Sequence, residues 1–441
     1  MTSRTNTPEG TAFVVEGGRP FVGRVRVPGD KSISQRAVIL GSLAEGVSVV
    51  RGRCGGEDVR HTESAMCAMG AQIEAERISG AGRALHAPEA PLDLGNSGTG
   101  MRLVAGVIAG WPWRVELRGD PSLSERPMDR IAHPLQLMGA DVRGRTERCL
   151  PPVVVQGGSL KGIEYRPPMA SAQVKSCVLL AGLRAEGETT VRERILTRRH
   201  TEELLALCGT QVSESYEQGE HVVRLFPGDL APFELQVPGD PSQAAFWVVA
   251  ACLVPGSEVA VAQIYTGAAR RGFLDVLGRM GARLEEVAVS PRHADLDETA
   301  DLVARSGPLV ATEVEAAEIP GLDEVPVLAV AAATAEGTTA FRSVGELRVK
   351  ESDRLAGVVE MVRALGGRAE ADGDDLFVTG VPELTGGYVD ARGDHRIAMA
   401  AAIAGASVGG HPTRIVGWEA VNTSYPEFGE HLAELTGRGG M

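Results

Sequence analysis

The sequence predicts an α/β protein of two domains, built from six repeated βαβαββ-like units with three units in each domain. Three observations carry this. At 441 residues the chain exceeds what a single hydrophobic core usually organises. Six stretches share one pattern, in which a small polar or acidic residue precedes an Ala/Val/Leu-rich helical run, then a Gly or turn, then a strand. They begin near Asp30, Asn96, Ser171, Asp240, Asp323 and Asp394, at intervals of 66, 75, 69, 83 and 71 residues, too even for chance and longer than a solenoid repeat. Each helical run is also apolar nearly all round, which marks a helix buried inside a domain.

The first element, FVGRVRVPG, alternates apolar and polar residues and should pair in a sheet. It ends in VPGD (Val27 to Asp30), and the same tetrapeptide recurs at Val237 to Asp240. Both copies place a Pro-Gly turn and an Asp before a helix, and they are the natural domain boundaries. Residues 30–238 would form a first domain, and 1–29 with 239–441 a second, discontinuous one, if FVGRVRVPG pairs with the C-terminal half. Between the buried helices lie five amphipathic stretches at Thr62–Gln72, His133–Val142, Thr201–Thr210, Gly272–Leu284 and Leu355–Arg368, one in the interior of each successive repeat.

Composition narrows the function. No run approaches the ~18 apolar residues of a membrane span, and the polar, Thr-rich start lacks the order of a secretion signal, so a cytoplasmic protein is expected. A net charge of -14 argues against nucleic acid and anionic membrane as partners. The six cysteines are scattered without metal-ligand spacing, so buried reduced thiols are expected and a metal site is not. Of 44 basic residues only Lys31, Lys161, Lys175 and Lys350 are lysines. A lysine offers a compact charge whose proton can move, which an arginine does not.

The charges then break a rule. Cations in the first turn of a helix oppose the helix dipole by roughly 0.3–1 kcal/mol each unless an anion is bound there. Yet Lys31 follows Asp30, Arg102 lies one turn past Asn96, Lys175 one turn past Ser171, and His395 and Arg396 follow Asp394. Taken singly these would be solvated surface charges, but as a set they point to phosphate or carboxylate ligands held by free N–H groups, hydroxyls and cations. The loop GNSGTG, with Gly98 and Thr99, has no bulk to exclude such a ligand, and it matches no nucleotide-binding fingerprint. In ELRVKESDRLAG a helix starting near Lys350 would set Lys350 and Arg354 as like charges at i,i+4, with Glu351 between them. That is either a salt-bridged surface or an anion site containing a proton-transferring carboxyl. Arg126 sits in a Pro-flanked loop, Arg198 and His200 precede an amphipathic helix with His200 read as structural, and Asp323 is most simply a helix N-cap. His61, His86, His133, His221, His293, His411 and His431 fall in no motif.

In this order PGDKSISQRA, GNSGTGMRL, ERPM, SAQVKS, TRRHTE, the Asp323 segment, LRVKESDRL and GDHRIAM resemble the 5-enolpyruvylshikimate-3-phosphate synthases of the enolpyruvyl transferase family, from about Phe21 to Leu435. The resemblance implies the family's two-domain inside-out α/β barrel, with an active site in the cleft between domains. It implies transfer of the enolpyruvyl group of phosphoenolpyruvate to the 5-hydroxyl of shikimate 3-phosphate by addition and elimination, without metal or organic cofactor, in a monomer. Glu351 would be the acid at the methylene carbon, Asp323 the base at the hydroxyl, and Lys31 a bridge at the reacting centre. Shikimate 3-phosphate would meet Lys31, Ser32, Arg36, Ser171, Ala172, Gln173, Arg198 and Asp323. Phosphoenolpyruvate would meet Lys31, Gly98, Arg126, Gln173, Arg354 and Arg396, and Lys350 is implied at either ligand. Asn96, Thr99, Arg102 and His395 would support them. Gln35 stands where relatives often have Asn or His, NTSYP lacks the Lys that many members carry there, and Gly98 in place of Ala implies glyphosate sensitivity.

Two rivals remain. The sister family acting on UDP-N-acetylglucosamine carries a Cys in the loop that here reads PSLSERPMDR. A non-catalytic two-domain anion-binding protein would have no use for Asp323 and Glu351 on one ligand, and such proteins mostly carry an export signal.

Overall fold

In the computed structural model, which describes residues 4–7, 10–288, 296 and 299–437, each of six four-stranded sheets has the same order. Two central strands carry an antiparallel neighbour on one side and a short parallel strand on the other. Glu313–Glu315, for example, runs parallel to Thr338–Arg342, which pairs antiparallel with Asp375–Thr379, and that in turn with Arg368–Asp372. The link between the parallel pair is the buried helix Val325–Thr334, since parallel neighbours need a crossover.

The chain divides by contacts into two compact units, Gly29–Val237 and Met1–Pro28 with Pro238–Met441. Strand pairing shows why each cut falls inside a VPGD turn. Val22–Val25, which leads into the first turn, pairs parallel with Glu258–Tyr265. Glu234–Gln236, which leads into the second, pairs parallel with Glu45–Arg51. Each strand thus belongs to one unit and the helix after its turn to the other. The N-terminal strands also stay with the C-terminal half, because Gly10–Val15 pairs with Thr413–Val416 and Phe13 stacks on Trp418 at 3.7 Å.

The six buried helices are Lys31–Leu43, Gly98–Ala109, Ala172–Gly182, Pro241–Leu253, Val325–Thr334 and His395–Ser407. In the Gly29–Val237 unit the second packs against the first and third. Gly106 permits this, since a Cβ there would lie 2.4 Å from the Cys177 carbonyl oxygen. In the other unit the fourth, fifth and sixth helices pack on one another. Their cores hold side chains such as Phe246, Trp247 and Met399, each worth roughly 1.5–3 kcal/mol when fully buried.

Amphipathic helices fill the remaining positions: Glu57–Ala68, Asp129–Met138, His200–Leu207, Gly272–Arg279 and Arg354–Ala364. A sixth, Phe428–Leu435, went unread in the sequence, because FGEHLAEL is too short for its periodicity to stand out. Its Phe428 stacks on Trp247 at 4.5 Å. Among the described residues no helix is long and apolar enough to cross a membrane. All six cysteines are free, and five are buried as expected, whereas Cys67, on the outer face of an amphipathic helix, is exposed.

Candidate active site

In the Gly29–Val237 unit the starts of the three buried helices carry the predicted residues. Asp30 caps the first helix, its carboxylate accepting from the Ile33 amide at 2.8 Å. Lys31, next in the chain, points its ammonium to Asp58 at 2.7 Å. Ser32 and Arg36 are buried. The Arg36 guanidinium donates to the Ser32 carbonyl (3.0 Å) and hydroxyl (2.5 Å), to Thr201 (2.8 Å) and to Ser176 (2.7 Å). It therefore stands behind Ser32 and fixes it, and the Ser32 hydroxyl also meets His200 Nδ1 at 3.0 Å. His200 is fully buried, which agrees with a structural part.

The second helix is capped by Ser97, which accepts from the Gly100 amide at 3.0 Å. Asn96, the residue before the cap, is a bridge: its amide nitrogen donates to Asp120 at 2.6 Å and its oxygen accepts from Arg126 at 2.6 Å. Arg102 reaches Gln173 at the start of the third helix (2.6 Å), and Gln173 donates to Thr99 (2.8 Å). Two polar groups thus flank Gly98, Asn96 with Arg126 on one side and Arg102, Gln173 and Thr99 on the other. A methyl group at Gly98 would lie 3.1 Å from the Arg102 guanidinium and 3.3 Å from that of Arg126, tighter than ordinary contact.

Ser171 caps the third helix, accepting from Val174 N, with Ala172 as its first residue. Lys175, grouped by sequence with the cations at helix starts, does not face an anion site. It is fully buried, with its ammonium 2.7 Å from both Glu193 and Glu202. Burial pulls its pKa down, but the two carboxylates outweigh that and hold it above the ordinary value. Glu193, Glu202 and His221 bring ligand atoms within 4.8 Å of one another, as a metal would require, but the Lys175 amine already fills the cationic place. His221, outside every motif, bridges Glu193 (3.4 Å) and Glu214 (2.9 Å). Arg198 lies nearby, half-buried.

The His221 arrangement has a pH signature. Burial disfavours the charged ring, but hydrogen bonds with Glu193 and Glu214 outweigh it and push the pKa up from 6.5 to about 9. A raised pKa stabilises the fold fully below pH 6.5, and the contribution disappears as pH rises through about 9. Without screening this would be worth about 3 kcal/mol, which partial solvent exposure reduces to on the order of 2 kcal/mol. Unfolding midpoints should therefore fall between those pH values, and the fall should be shallower in His221→Gln; an unchanged slope would count against this account.

In the other unit the carboxylates and cations converge on Arg354. The helix there begins at Arg354 with Asp353 as its cap, not near Lys350, which ends a 3-10 turn and is half-buried. The i,i+4 pair of like charges is therefore not helical. Arg354 is fully buried; its Nε meets Asp394 at 2.8 Å, one terminal nitrogen meets Asp323 at 3.4 Å, and the other meets Glu351. Burial lowers its pKa, but Asp394, Glu351 and Asp323 hold it well above the ordinary value. Asp394, itself fully buried, is held below the usual carboxylate range, since Arg354 outweighs the effect of burial.

Asp394 caps the sixth helix by accepting from the Arg396 amide at 2.9 Å, and His395 beside it is buried. Asp323 does not cap the fifth helix. Glu324 takes that position, and the Asp323 carboxylate turns to Arg354 and to Arg396, which lies 3.6 Å away. At the second VPGD copy, Asp240 pairs with buried Arg270 at 2.7 Å, supplied by the turn Ala268–Arg270. Sequence spacing gave no signal for that pair, because the two residues lie 30 positions apart.

The geometry thus sets two partly exposed carboxylates, Asp323 and Glu351, on the terminal nitrogens of one buried guanidinium. A solved structure of EPSP synthase from Acinetobacter baumannii is 39% identical and superposes with a TM-score of 0.81, covering 96% of this chain and 97% of that one. The enolpyruvyl transferase NikO from Streptomyces tendae, 20% identical with a TM-score of 0.77, shares the fold, covering 96% of this chain and 97% of its own. The 3-phosphoshikimate 1-carboxyvinyltransferase of Streptococcus gordonii is 42% identical over 94% of this chain and 97% of its own length. A family model for EPSP synthase (3-phosphoshikimate 1-carboxyvinyltransferase) matches residues 15–432, and the chain belongs to that family.

Proposed function

We infer that this chain transfers the enolpyruvyl group of phosphoenolpyruvate to the 5-hydroxyl of shikimate 3-phosphate and releases phosphate, a step of aromatic amino-acid biosynthesis. The observation that carries the reading is the placement of Asp323 and Glu351 on Arg354, in a chain whose relatives are named for this transfer. In the addition, the hydroxyl oxygen bonds to the central carbon of phosphoenolpyruvate while its proton passes to Asp323. Glu351 gives a proton to the methylene carbon, which becomes a methyl group. In the elimination, that methyl group returns a proton to the Glu351 carboxylate, the double bond reforms and the carbon–oxygen bond to phosphate breaks. A positioned acid or base contributes typically 10²–10⁴-fold to such a step.

The surrounding cations answer the charges of the substrates. Lys31, Gly98, Arg126, Gln173, Arg354 and Arg396 serve phosphoenolpyruvate. Lys31, Ser32, Arg36, Ser171, Ala172, Gln173, Arg198, Asp323 and Lys350 serve shikimate 3-phosphate, with Asn96, Thr99, Arg102 and His395 in support. Arg36 and Arg354 act from behind, by fixing Ser32 in one case and the two carboxylates in the other. Lys31 suits the reacting centre because its ammonium can exchange the Asp58 carboxylate for a substrate anion.

The test is phosphate release measured with both substrates and with each alone. Release is expected only with both; none with both would overturn the reading.

A further inference from the structure

Arg198 lies in a run whose neighbours are all fastened. The Thr197 hydroxyl donates to Glu193. Arg199 forks onto Glu214 with two bonds of 2.8 Å. His200 meets Ser32, Thr201 accepts from Arg36, and Glu202 pairs with Lys175. Two of these anchors, Glu193 and Glu202, come together on the Lys175 ammonium, and Lys175 stands one turn inside the helix that opens with Ser171, Ala172 and Gln173. His221 continues the network outward to Glu214 and so to Arg199.

We propose that Lys175 is a positioning residue for shikimate 3-phosphate. Its ammonium fixes the helix start at Ser171 and Ala172 against the run Thr197–Glu202 and so sets the distance between the hydroxyl and backbone groups of one and the Arg198 guanidinium of the other. The inference rests on the assignment of these residues to shikimate 3-phosphate made above.

The residue type fits the task. The chain uses Arg for all but four of its 44 basic residues, yet a lysine stands here. A spherical ammonium can lie 2.7 Å from each of two glutamates on different elements, whereas a planar guanidinium needs its donors in one fork. The Lys175 side chain is fully buried, so it touches no substrate itself. Its effect must pass through geometry, where a misplacement of 1 Å can cost up to about 100-fold.

Titration of the full chain with shikimate 3-phosphate tests this. Lys175→Met alone would leave two buried glutamates facing each other, so the variant to use is Lys175→Met/Glu202→Gln, which removes one charge of each sign. Its dissociation constant for shikimate 3-phosphate is expected to rise about tenfold or more, while the KM for phosphoenolpyruvate changes less than about threefold. If this variant does not fold, Glu214→Gln, on the less buried side of the same network, is read instead and should weaken shikimate 3-phosphate binding about threefold. A folded variant that binds shikimate 3-phosphate as wild type does, or that loses both substrates equally, overturns the proposal. Wild-type protein that binds no shikimate 3-phosphate overturns the functional assignment, and this inference with it.

Discussion

Glu351→Gln and Asp323→Asn are each expected to lower turnover by roughly 10²–10⁴-fold with little effect on the fold. The amides are nearly the shape of the acids and can still accept a hydrogen bond from Arg354, so what they lose is the proton. Both side chains are partly exposed, and the buried charge of Arg354 keeps its fully buried partner, Asp394, in either variant. The two losses should also differ in kind. Exchange of solvent hydrogen into the methylene group of phosphoenolpyruvate depends on the acid at that carbon, so Glu351→Gln should suppress it. Asp323→Asn should suppress the attack of the hydroxyl. Near-normal kcat in either variant, with the protein folded, would falsify that assignment.

Arg354→Met is expected to destabilise its unit by about 3–5 kcal/mol, the usual cost of removing one partner from a buried ion pair. Asp394 has no exposure, and its carboxylate is held ionised by this guanidinium against the cost of burial. Without the guanidinium, Asp394 would have to bury an uncompensated charge or take up a proton. The sign with pH follows. In wild type the depressed carboxyl contributes stability above the ordinary carboxylate pKa and loses it as pH falls, whereas in the variant rising pH ionises a carboxyl with no partner. The destabilisation should therefore be larger at neutral than at acid pH. Arg354→Met/Asp394→Asn should recover part of the loss, and a double-mutant cycle in thermal unfolding measures how much. Additive losses in that cycle would mean that the pair is not coupled as its 2.8 Å contact requires.

Much of this was legible in the chain because the repeat is written in local rules. Capping residues, all-round apolar helices and glycine turns recur at each unit, and they identified the six buried helices. The faint case was Phe428–Leu435, whose eight residues make only two turns. The resemblance to a family, carried by eight short motifs, named the residues that should matter. It could not say what each one touches. Asp323 reads as a cap because an Asp before an apolar helix usually is one, but the helix starts one residue later, with Glu324 at the cap position, and the Asp323 carboxylate turns to two guanidinium groups. Lys175 reads as one more cation at a helix start because its two glutamates lie 18 and 27 residues further on.

The sequence by itself determined the number and kind of repeating units, the two VPGD turns as natural boundaries, and the residue types able to hold phosphates and move protons. These depend on contacts between near neighbours and on periods of 3.6 and 2, which a linear string records. Tertiary structure alone decided the pairing. It put Asp323, Glu351 and Asp394 on Arg354, gave Asp240 the distant Arg270, and enclosed Lys175 between two glutamates. The physical reason is that a buried charge must find its counter-charge in space, and that partner can come from any repeat the fold brings within about 3 Å.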